Sequence, residues 1–186
     1  MNAILGGVVR SEVRWQRGSD QAFEALVHDR LDACYRLAAV LLGDRIEAED
    51  ATHEAMLRAQ RSWSSVRDLA AAPAWLDRIV VNECRDRLRR RRVARSIIDR
   101  AQPASDQPSQ TGPESSSEER AALRGALAAL TPDHRVVVVL RYLLDLPIDA
   151  IAERTGTPAG TVKSRLHHAL RELRAVYDAA AREVDR

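Results

Sequence analysis

The chain has 186 residues, enough for one domain or two small ones, and its 45% hydrophobic content is sufficient for a buried core. Aromatic residues make up only 4%, while alanine and leucine abound, which favours packed helices over a β-sandwich. The net charge of +2 excludes a strongly acidic or basic chain, and nearly all positive charge is arginine. Because no stretch has the apolar length of a signal peptide or a membrane span, we expect a cytosolic protein without direct membrane insertion.

The first two helices are predicted from apolar periodicity and capping residues. Residues 1–18 show little periodicity and predict a flexible tail. A helical pattern follows and ends at Gly43. Asp44, followed by Glu47, is a capping arrangement that predicts the start of a second helix, which extends to about Arg61.

The second predicted helix has two different faces. One is a stripe of small residues that permits close helix contact, formed by Ala48, Ala51, Ala55 and Ala59. On the far side Glu47, Asp50 and Glu54 align as an acidic face. Such a face suits a basic partner, and it is equally the pattern of ordinary solvated charge.

A loop or short broken helix over residues 62–73 precedes a third predicted helix over residues 74–92. Residues 82–95 contain seven arginines and two acids. Cations stabilise the C-terminal end of a helix dipole, but the four consecutive arginines at 89–92 exceed that need. The cluster indicates contact with phosphate, for which guanidinium groups are suited.

Residues 96–117 contain prolines and a glycine among Ser, Gln and Asp, and predict a flexible linker. Four helices are predicted after it, over residues 118–130, from Thr131, over 147–154 and over 158–177. The β-branched run 136–139 resembles a strand, but the cap before it and the leucines after it favour a buried helix. The predicted fold is therefore all-α, with small helical domains over residues 19–95 and 118–186.

The last two predicted helices have the pattern of a helix-turn-helix. Gly156 supplies the bend, Thr157 can cap the final helix, and Pro158 suits its first position. An apolar stripe runs along this helix through Val162, Leu166, Ala169 and Leu173. The opposite arc carries Gly160, Lys163, Ser164, His167, His168 and Arg171. A helix with this donor-rich arc fits the DNA major groove, although an amphipathic surface helix shares the pattern.

The sequence resembles bacterial sigma factors over most of its length. LGDRIEAEDATHEAMLRA (residues 42–59) and AWLDRIVVNECRDRLRRRR (74–92) are similar to the half that binds core polymerase and reads the −10 element. LRYLLDLPIDAIAERTGTPAGTVKSRLHHALRELR (140–174) resembles the half that reads the −35 element. Other regulators share helices such as GTVKSRL, but the ordered combination is specific. With two domains and no third between them, the chain is identified as a member of the extracytoplasmic-function (ECF, group IV) class.

This resemblance implies a sigma factor that binds core RNA polymerase and directs promoter-specific transcription initiation. It would read the −35 duplex with its second domain, and melt and capture the −10 element with its first. Melting would be driven by binding, since a captured base offsets an unstacking cost of a few kcal/mol. The family implies an anti-sigma factor as a further partner, and no enzymatic activity, cofactor, metal or small-molecule substrate.

For the second helix, the resemblance implies docking onto core polymerase through Glu47, Asp50, His53 and Glu54. His53 stands where the family usually has glutamine. An imidazole still donates one hydrogen bond, so we expect docking to survive with some pH dependence.

For the −10 element, the resemblance implies capture of an unstacked base by the loop after this helix, with polar contacts from Ser64, Ser65 and Arg67 and an apolar wall from Val66. Trp63 is either a stacking residue or a core residue, and the sequence leaves both open. Asn82 is similar to the family's base-contacting asparagine, whose amide both donates and accepts. Phosphates would be neutralised by Arg78, Arg85 and Arg89.

For the −35 element, the family's base-reading positions match Lys163, Ser164, His167 and His168 on the donor-rich arc, which also carries Arg171. Arg165 lies beside the apolar stripe and is expected to contact phosphate, as is Arg154 on the preceding helix.

Two other classes of protein share parts of this sequence pattern. Asp50, His53 and Glu54 resemble a carboxylate–histidine metal site, but such a site needs a second matching set, and the other histidines lack one. A one-component regulator with a ligand-sensing first half would need a pocket and a dimer interface, whereas the arginine cluster of this half suits DNA. The sequence also predicts two reduced, part-buried thiols, Cys34 and Cys84, whose spacing fits neither a zinc site nor a disulfide framework.

Overall fold

A computed structural model of the chain describes the backbone of residues 5–101 and 118–184, and the side chains within residues 20–97 and 122–176. Over these ranges the fold is all-α, as predicted. The helices are α1 (Leu5–Leu42), α2 (Arg45–Ser62), α3 (Ala72–Ala101), α4 (Glu118–Ala129), α5 (Pro132–Tyr142), α6 (Ile148–Thr155) and α7 (Ala159–Val184). A single 3-10 turn, Trp63–Ser65, follows α2. None of the described helices is long and apolar enough to cross a membrane.

Helices α1, α2 and α3 pack against one another to form the first unit. The alanine stripe of α2 is fully buried, as expected for residues small enough to allow close helix approach. The junction between α1 and α2 is formed by a left-handed glycine and a capping carboxylate. Gly43 has a φ of +71°, and the Asp44 carboxylate accepts a 2.9 Å hydrogen bond from the main-chain N–H of Glu47.

Helices α5, α6 and α7 form the centre of the second unit. The Thr131 hydroxyl caps α5 by accepting a 3.2 Å hydrogen bond from the His134 N–H. The valines at 136–139 are buried in this helix, which confirms the prediction of a helix in place of a strand. Gly156 ends α6 in the left-handed region with a φ of +61°, which confirms its role at the bend.

Several predicted helix boundaries differ from those in the structure. Helix α1 begins at Leu5, so the expected flexible tail is helical from there on. Helix α3 continues to Ala101 into the expected linker, whose remaining residues 102–117 lie outside the described part of the chain. In both cases no proline interrupts the segment, and adding a residue to a formed helix gains a hydrogen bond without a new nucleation cost. Helix α7 begins at Ala159, one residue later than expected, and the Thr157 hydroxyl donates to the Thr155 carbonyl.

The two units contact each other, which the sequence did not predict. Helix α3 packs on α5 and α6, and the end of α1 packs on α5. Across the interface Arg135 donates a 3.0 Å hydrogen bond to the Leu41 carbonyl at the end of α1, and within the first unit Arg91 donates a 3.0 Å hydrogen bond to the Leu42 carbonyl. These carbonyls have no partner within their own helix, so the contact satisfies groups that would otherwise need water.

Candidate nucleic-acid interface

Helix α7 presents its polar arc to solvent. The apolar stripe of α7 packs against the other helices of the second unit. It is buried at Val162, Leu166 and Ala169, and half-buried at Leu173. The six arc positions, from Gly160 to Arg171, are all exposed. This follows from the helical period, since anchoring one narrow stripe turns the opposite side outwards. The structure thus places Lys163, Ser164, His167 and His168 together on one accessible surface.

The loop between α2 and α3 borders a cavity of about 200 Å³. Its lining includes three predicted residues, Ser65, Val66 and Arg67, together with Asp68, Ala71 and Trp75. Since an apolar cavity of roughly 150 Å³ holds a benzene molecule, this space has room for a nucleobase ring. Ser64 is exposed nearby but does not line the cavity.

Trp63 is a core residue, which decides between the two roles left open for it. Only 7% of it is exposed. Its ring centroid lies 5.3 Å from that of Phe23 and 5.8 Å from that of Trp75, in tilted arrangements. In this structure Trp63 therefore takes the core role of the two that the sequence left open. Trp75 is half-buried between Trp63 and the cavity.

Asn82 and Arg85 form a pair on the α3 face that meets the second unit. The Arg85 Nη2 donates a 2.7 Å hydrogen bond to the Asn82 Oδ1, and its Nη1 donates to the Thr155 carbonyl of α6 at 3.3 Å. Burial lowers the pKa of Arg85, and the neighbouring Arg89 lowers it further. The structure thus holds Asn82 in one orientation and leaves its amide N–H groups as donors.

The remaining arginines predicted to bind phosphate also lie where the two units meet. Arg89 in α3 and Arg165 in α7 converge on Asp133 in α5, at 3.0 and 3.4 Å. Arg154 in α6 reaches across to Asp77 in α3 at 3.2 Å. Arg78 is exposed and lies beside the helix-turn-helix bend. A Cβ atom placed on Gly156 would lie 3.7 Å from the Arg78 Nη2. The structure therefore brings together residues that were assigned to separate DNA elements.

The acidic face of α2 is only partly free. Asp50 and His53 are exposed, as expected of a docking surface. Glu47 is half-buried and pairs with Arg91 of α3, so the expectation that it points freely outwards is wrong. Glu54 is half-buried and lies 3.4 Å from Arg58. The close packing of α2 on α3 explains why Glu47 turns inwards, whereas the partners of Glu54, Arg58 and Arg61, lie on its own helix.

Comparisons with known proteins match both units. The model of sigma-70 region 2 matches residues 26–101, and that of sigma-70 region 4 matches residues 120–173. The RNA polymerase sigma-E factor of Streptomyces coelicolor is 34% identical over 88% of this chain and 89% of its own length. The ECF RNA polymerase sigma factor SigM of Mycobacterium tuberculosis is 34% identical over 84% of this chain and 77% of its own length. The chain belongs to the ECF class of RNA polymerase sigma factors.

Two solved structures share the fold of this sigma factor. The sigma factor RpoE of Bartonella quintana, in complex with the anti-sigma factor NepR, matches with a TM-score of 0.64 and 23% identity. That match covers 84% of this chain and 96% of RpoE. CnrH, in complex with the cytosolic domain of CnrY, matches with a TM-score of 0.62 and 24% identity, over 87% of this chain and 95% of CnrH. Family membership makes this protein a transcription initiation factor and removes the ground for a one-component regulator.

Two acids at the interface between the two units of this sigma factor, Asp77 and Asp133, were not predicted from the sequence. Asp77 is 3% exposed and lies on the buried arc of α3 beside Leu76 and Val80. An acid on an apolar arc signals a buried charge that needs a partner. Asp133 follows Thr131-Pro132 and lies in the first turn of α5. An acid there is explained by the helix dipole alone, so the local sequence did not indicate its long-range partners.

Both thiols of this sigma factor are fully buried, more deeply than expected, and neither forms a disulfide. Burial raises the pKa of Cys34 to about 12, and likewise that of Cys84 to about 12. Within the described residues, no group of three or more His, Cys, Asp or Glu side chains is arranged to hold a metal ion.

Proposed function

We propose that this sigma factor binds core RNA polymerase, reads a −35 duplex with α7, and captures a −10 base in the loop cavity before α3. The single observation that carries the proposal is the surface of α7. Its apolar stripe is buried while Lys163, Ser164, His167 and His168 face outwards together. Such a rigid row of donors and acceptors matches the edges of base pairs in the major groove.

The cavity supports the assignment of −10 capture. It combines an aromatic wall, Trp75, with a hydroxyl, Ser65, and a guanidinium, Arg67. A base that leaves the stack loses stacking energy of a few kcal/mol, and these groups offer replacement contacts to its face and edges. Asn82, whose orientation Arg85 fixes, adds a base-edge donor.

Core polymerase would dock on the outer face of α2. Asp50 and His53 are exposed there, and Ile46 on the same helix is 71% exposed, which is unusual for a large apolar residue. A mixed acidic and apolar face suits a basic protein partner. RpoE and CnrH share this fold and were solved with an anti-sigma factor and with the cytosolic domain of CnrY, respectively, and we propose an anti-sigma factor for this chain as well.

In this role the protein catalyses no reaction itself and needs no cofactor, since polymerase performs the chemistry and the sigma factor supplies binding energy. We expect it to act in the cytoplasm, beside the promoters it reads. In domain terms, residues 19–95 would serve the −10 element and polymerase, and residues 118–186 the −35 element.

Run-off transcription with core polymerase, with and without the protein, on a pool of candidate promoters tests the proposal. We expect new discrete start sites that disappear with Asn82→Ala and with Lys163→Ala. Arg36→Ala is the matched control, because Arg36 is an exposed cation on α1, a helix to which no DNA or polymerase contact is assigned. If core polymerase gains no initiation from the wild-type protein, the proposal is wrong.

A further inference from the structure

Helix α7 carries one acid among its described side chains, Glu172. It follows His168 by four residues, so it lies one turn further along the same side of the helix. This side is the polar arc, whose other side chains are neutral or basic. A carboxylate beside the arc repels the phosphates that border a groove, so the affinity for DNA depends on whether this charge is neutralised.

The carboxylate of Glu172 pairs with His134, the third residue of α5. The Glu172 Oε1 lies 3.0 Å from the His134 Nδ1. The imidazole is the more covered partner, with 19% of its side chain exposed against 44% for Glu172. Since an ionised carboxylate can only accept hydrogen bonds, the Nδ1 of His134 carries a proton and donates. The main-chain N–H of His134 is the donor of the Thr131 cap, which fixes the position from which the ring extends.

A row of imidazoles connects this pair to the side chains proposed to read DNA. The rings of His134 and His168 stack with their centroids 6.3 Å apart and their planes 9° from parallel. The ring of His167 meets that of His168 edge-on, with centroids 5.8 Å apart. Because 6.3 Å is shorter than the screening length of about 8 Å at physiological salt, a charge on His134 acts on groups at the polar arc.

The net charge of the pair depends on pH. Histidine is the side chain that ordinarily changes charge between about pH 5 and pH 8, whereas carboxylates and guanidinium groups do not. The pair of His134 and Glu172 therefore has one net negative charge when the imidazole is neutral, and none when it is protonated. A fall in pH that protonates His134 thus removes the negative charge beside the polar arc.

The other charged groups around His134 are carboxylates and guanidinium groups, which are not of the kind that titrates near neutral pH. On its own helix, Asp133 pairs with arginines of α3 and α7, and Arg135 donates to the carbonyls of Leu41 and Ala128. Burial lowers the pKa of Arg135 to about 10, which still leaves it charged at neutral pH. The cations that α3 and α7 bring to this region are Arg85, Arg89, Arg91, Arg95 and Arg165.

The remaining helices near α5 add no histidine. The end of α1, residues 37–42, has no charged side chain, and the charged side chain described on α4 is the exposed Arg124. On α6, Asp149 and Glu153 are exposed and Arg154 bonds to Asp77. Histidine occurs in the second unit only at positions 134, 167 and 168, so the imidazole row holds the groups of this unit that titrate near neutral pH.

We propose that His134 and Glu172 form a proton-sensitive charge switch for −35 binding. When His134 is protonated, the acid beside the polar arc is neutralised and the duplex binds more tightly. When His134 is neutral, Glu172 repels the duplex. Affinity therefore rises as pH falls through the range in which histidine titrates, and declines as pH rises through it. The inference rests on the proposed function for the assignment of the −35 duplex to α7.

The affinity of the holoenzyme for promoter DNA at two pH values tests the switch. The probe is a fluorescent promoter from the run-off pool. Each variant is compared with wild type at the same pH, so that the pH responses of core polymerase and of the other two imidazoles cancel. His134→Asn keeps a donor near the position of the Nδ1 but carries no charge. We expect it to match wild type at about pH 8 and to bind about threefold more weakly at about pH 6.

Glu172→Gln removes the negative charge and keeps an acceptor for His134. We expect this variant to bind the promoter about threefold more tightly than wild type at about pH 8, where the acid of the wild type is not neutralised. The controls His28→Asn and Glu24→Gln make the same changes at exposed positions on α1 and should match wild type at both pH values. If His134→Asn loses helical circular dichroism, Glu172→Gln, at an exposed position, tests the switch by itself.

Nuclear magnetic resonance of isotope-labelled histidine side chains in the full-length protein tests the pair without DNA. The nitrogen chemical shifts identify which ring nitrogen carries the proton of a neutral imidazole. We expect the proton of neutral His134 on Nδ1 in wild type, and a loss of this preference in Glu172→Ala. A proton on Nε2 of wild-type His134 would overturn the pair.

The outcomes separate this inference from the proposed function. An equal loss of affinity for His134→Asn at both pH values would assign it a structural role and overturn the switch. Unchanged affinity of Glu172→Gln at about pH 8 would overturn it as well. If the wild-type protein gives no initiation with core polymerase, the proposed function is wrong and the −35 part of the inference with it, while the position of the ring proton still decides whether the pair exists.

Discussion

The carboxamide oxygen of Asn82 accepts a 2.7 Å hydrogen bond from the guanidinium of Arg85, one helical turn further along α3. This contact orients the amide so that its N–H groups remain available. Asn82 therefore has two properties that a substitution can test separately. Its oxygen pairs with Arg85, and its N–H groups can donate to a base.

Asn82→Asp keeps an acceptor for Arg85 but removes the donor. We therefore expect it to lose promoter activity as Asn82→Ala does, by about 1–3 kcal/mol in promoter affinity. Run-off transcription at graded promoter concentrations measures the loss, and binding to core polymerase should be unchanged. Full activity of Asn82→Asp would show that Asn82 serves only to position Arg85.

Filling the loop cavity should block −10 capture. Ala71 lines the cavity, so Ala71→Phe places a ring where the base would enter. We expect open-complex formation to fall about 10- to 100-fold, the equivalent of the few kcal/mol that unstacking costs. The signal is the fluorescence of 2-aminopurine placed at each −10 position in turn. Ala70→Phe is the control, since Ala70 is the exposed neighbour outside the lining; equal loss in both variants would contradict the capture site.

Lys163 and Arg165 should differ in what they contribute to −35 binding. Lys163→Ala should weaken the free energy of −35 binding by about 1–3 kcal/mol and relax the sequence preference at one base pair. Arg165→Ala should weaken binding evenly across sequences and reduce the salt slope by about one. Polymerase-bound protein and a randomised −35 library distinguish the two patterns. An even loss for Lys163→Ala would move it from base reading to phosphate contact.

The buried thiols should be unreactive in the folded protein. At pH 8 the thiolate fraction of a thiol with a pKa near 12 is about a thousandfold smaller than that of a free cysteine. Reaction with a disulfide reagent should be correspondingly slow in buffer and rapid in guanidinium chloride, with Ala70→Cys as the exposed control. Because the folded state binds these protons more tightly, the free energy of unfolding should fall as pH rises from about 9 to about 12. Rapid labelling of native Cys34 or Cys84 at pH 8 would instead favour a redox role.

The buried acid Glu83 makes the first unit sensitive to loss of a cation. Glu83 is 1% exposed, and its oxygens lie 2.7 Å from Arg87 Nε and 2.9 Å from Arg58 Nη2. Arg87→Met leaves one buried oxygen of Glu83 without its partner. We expect the free energy of unfolding to fall by about 2 kcal/mol, which is less than for a fully buried pair. This corresponds to a fall in Tm of about 4–8 °C. Arg90→Met, at an exposed neighbour, should stay within about 0.5 kcal/mol of wild type.

The sequence by itself determined the helices, their buried faces and the helix-turn-helix, because these depend on interactions within one or two turns. The Thr131 hydroxyl caps α5 three residues away, and Gly156 adopts the positive φ that its position at the bend predicted. The period of α7 placed Val162 and Ala169 inside and Lys163 outside. Each of these outcomes follows from local hydrogen bonding and from the geometry of a helix with one apolar side.

Only the tertiary structure decided which charges meet and which aromatic ring faces the cavity. Arg154 reaches Asp77 across 77 positions of sequence, and Arg89 reaches Asp133 across 44. No periodicity or cap encodes such pairs, since they arise when separate helices pack. Likewise, Trp63 and Trp75 have the same chemistry, and their packing against each other buries Trp63 and leaves Trp75 beside the cavity.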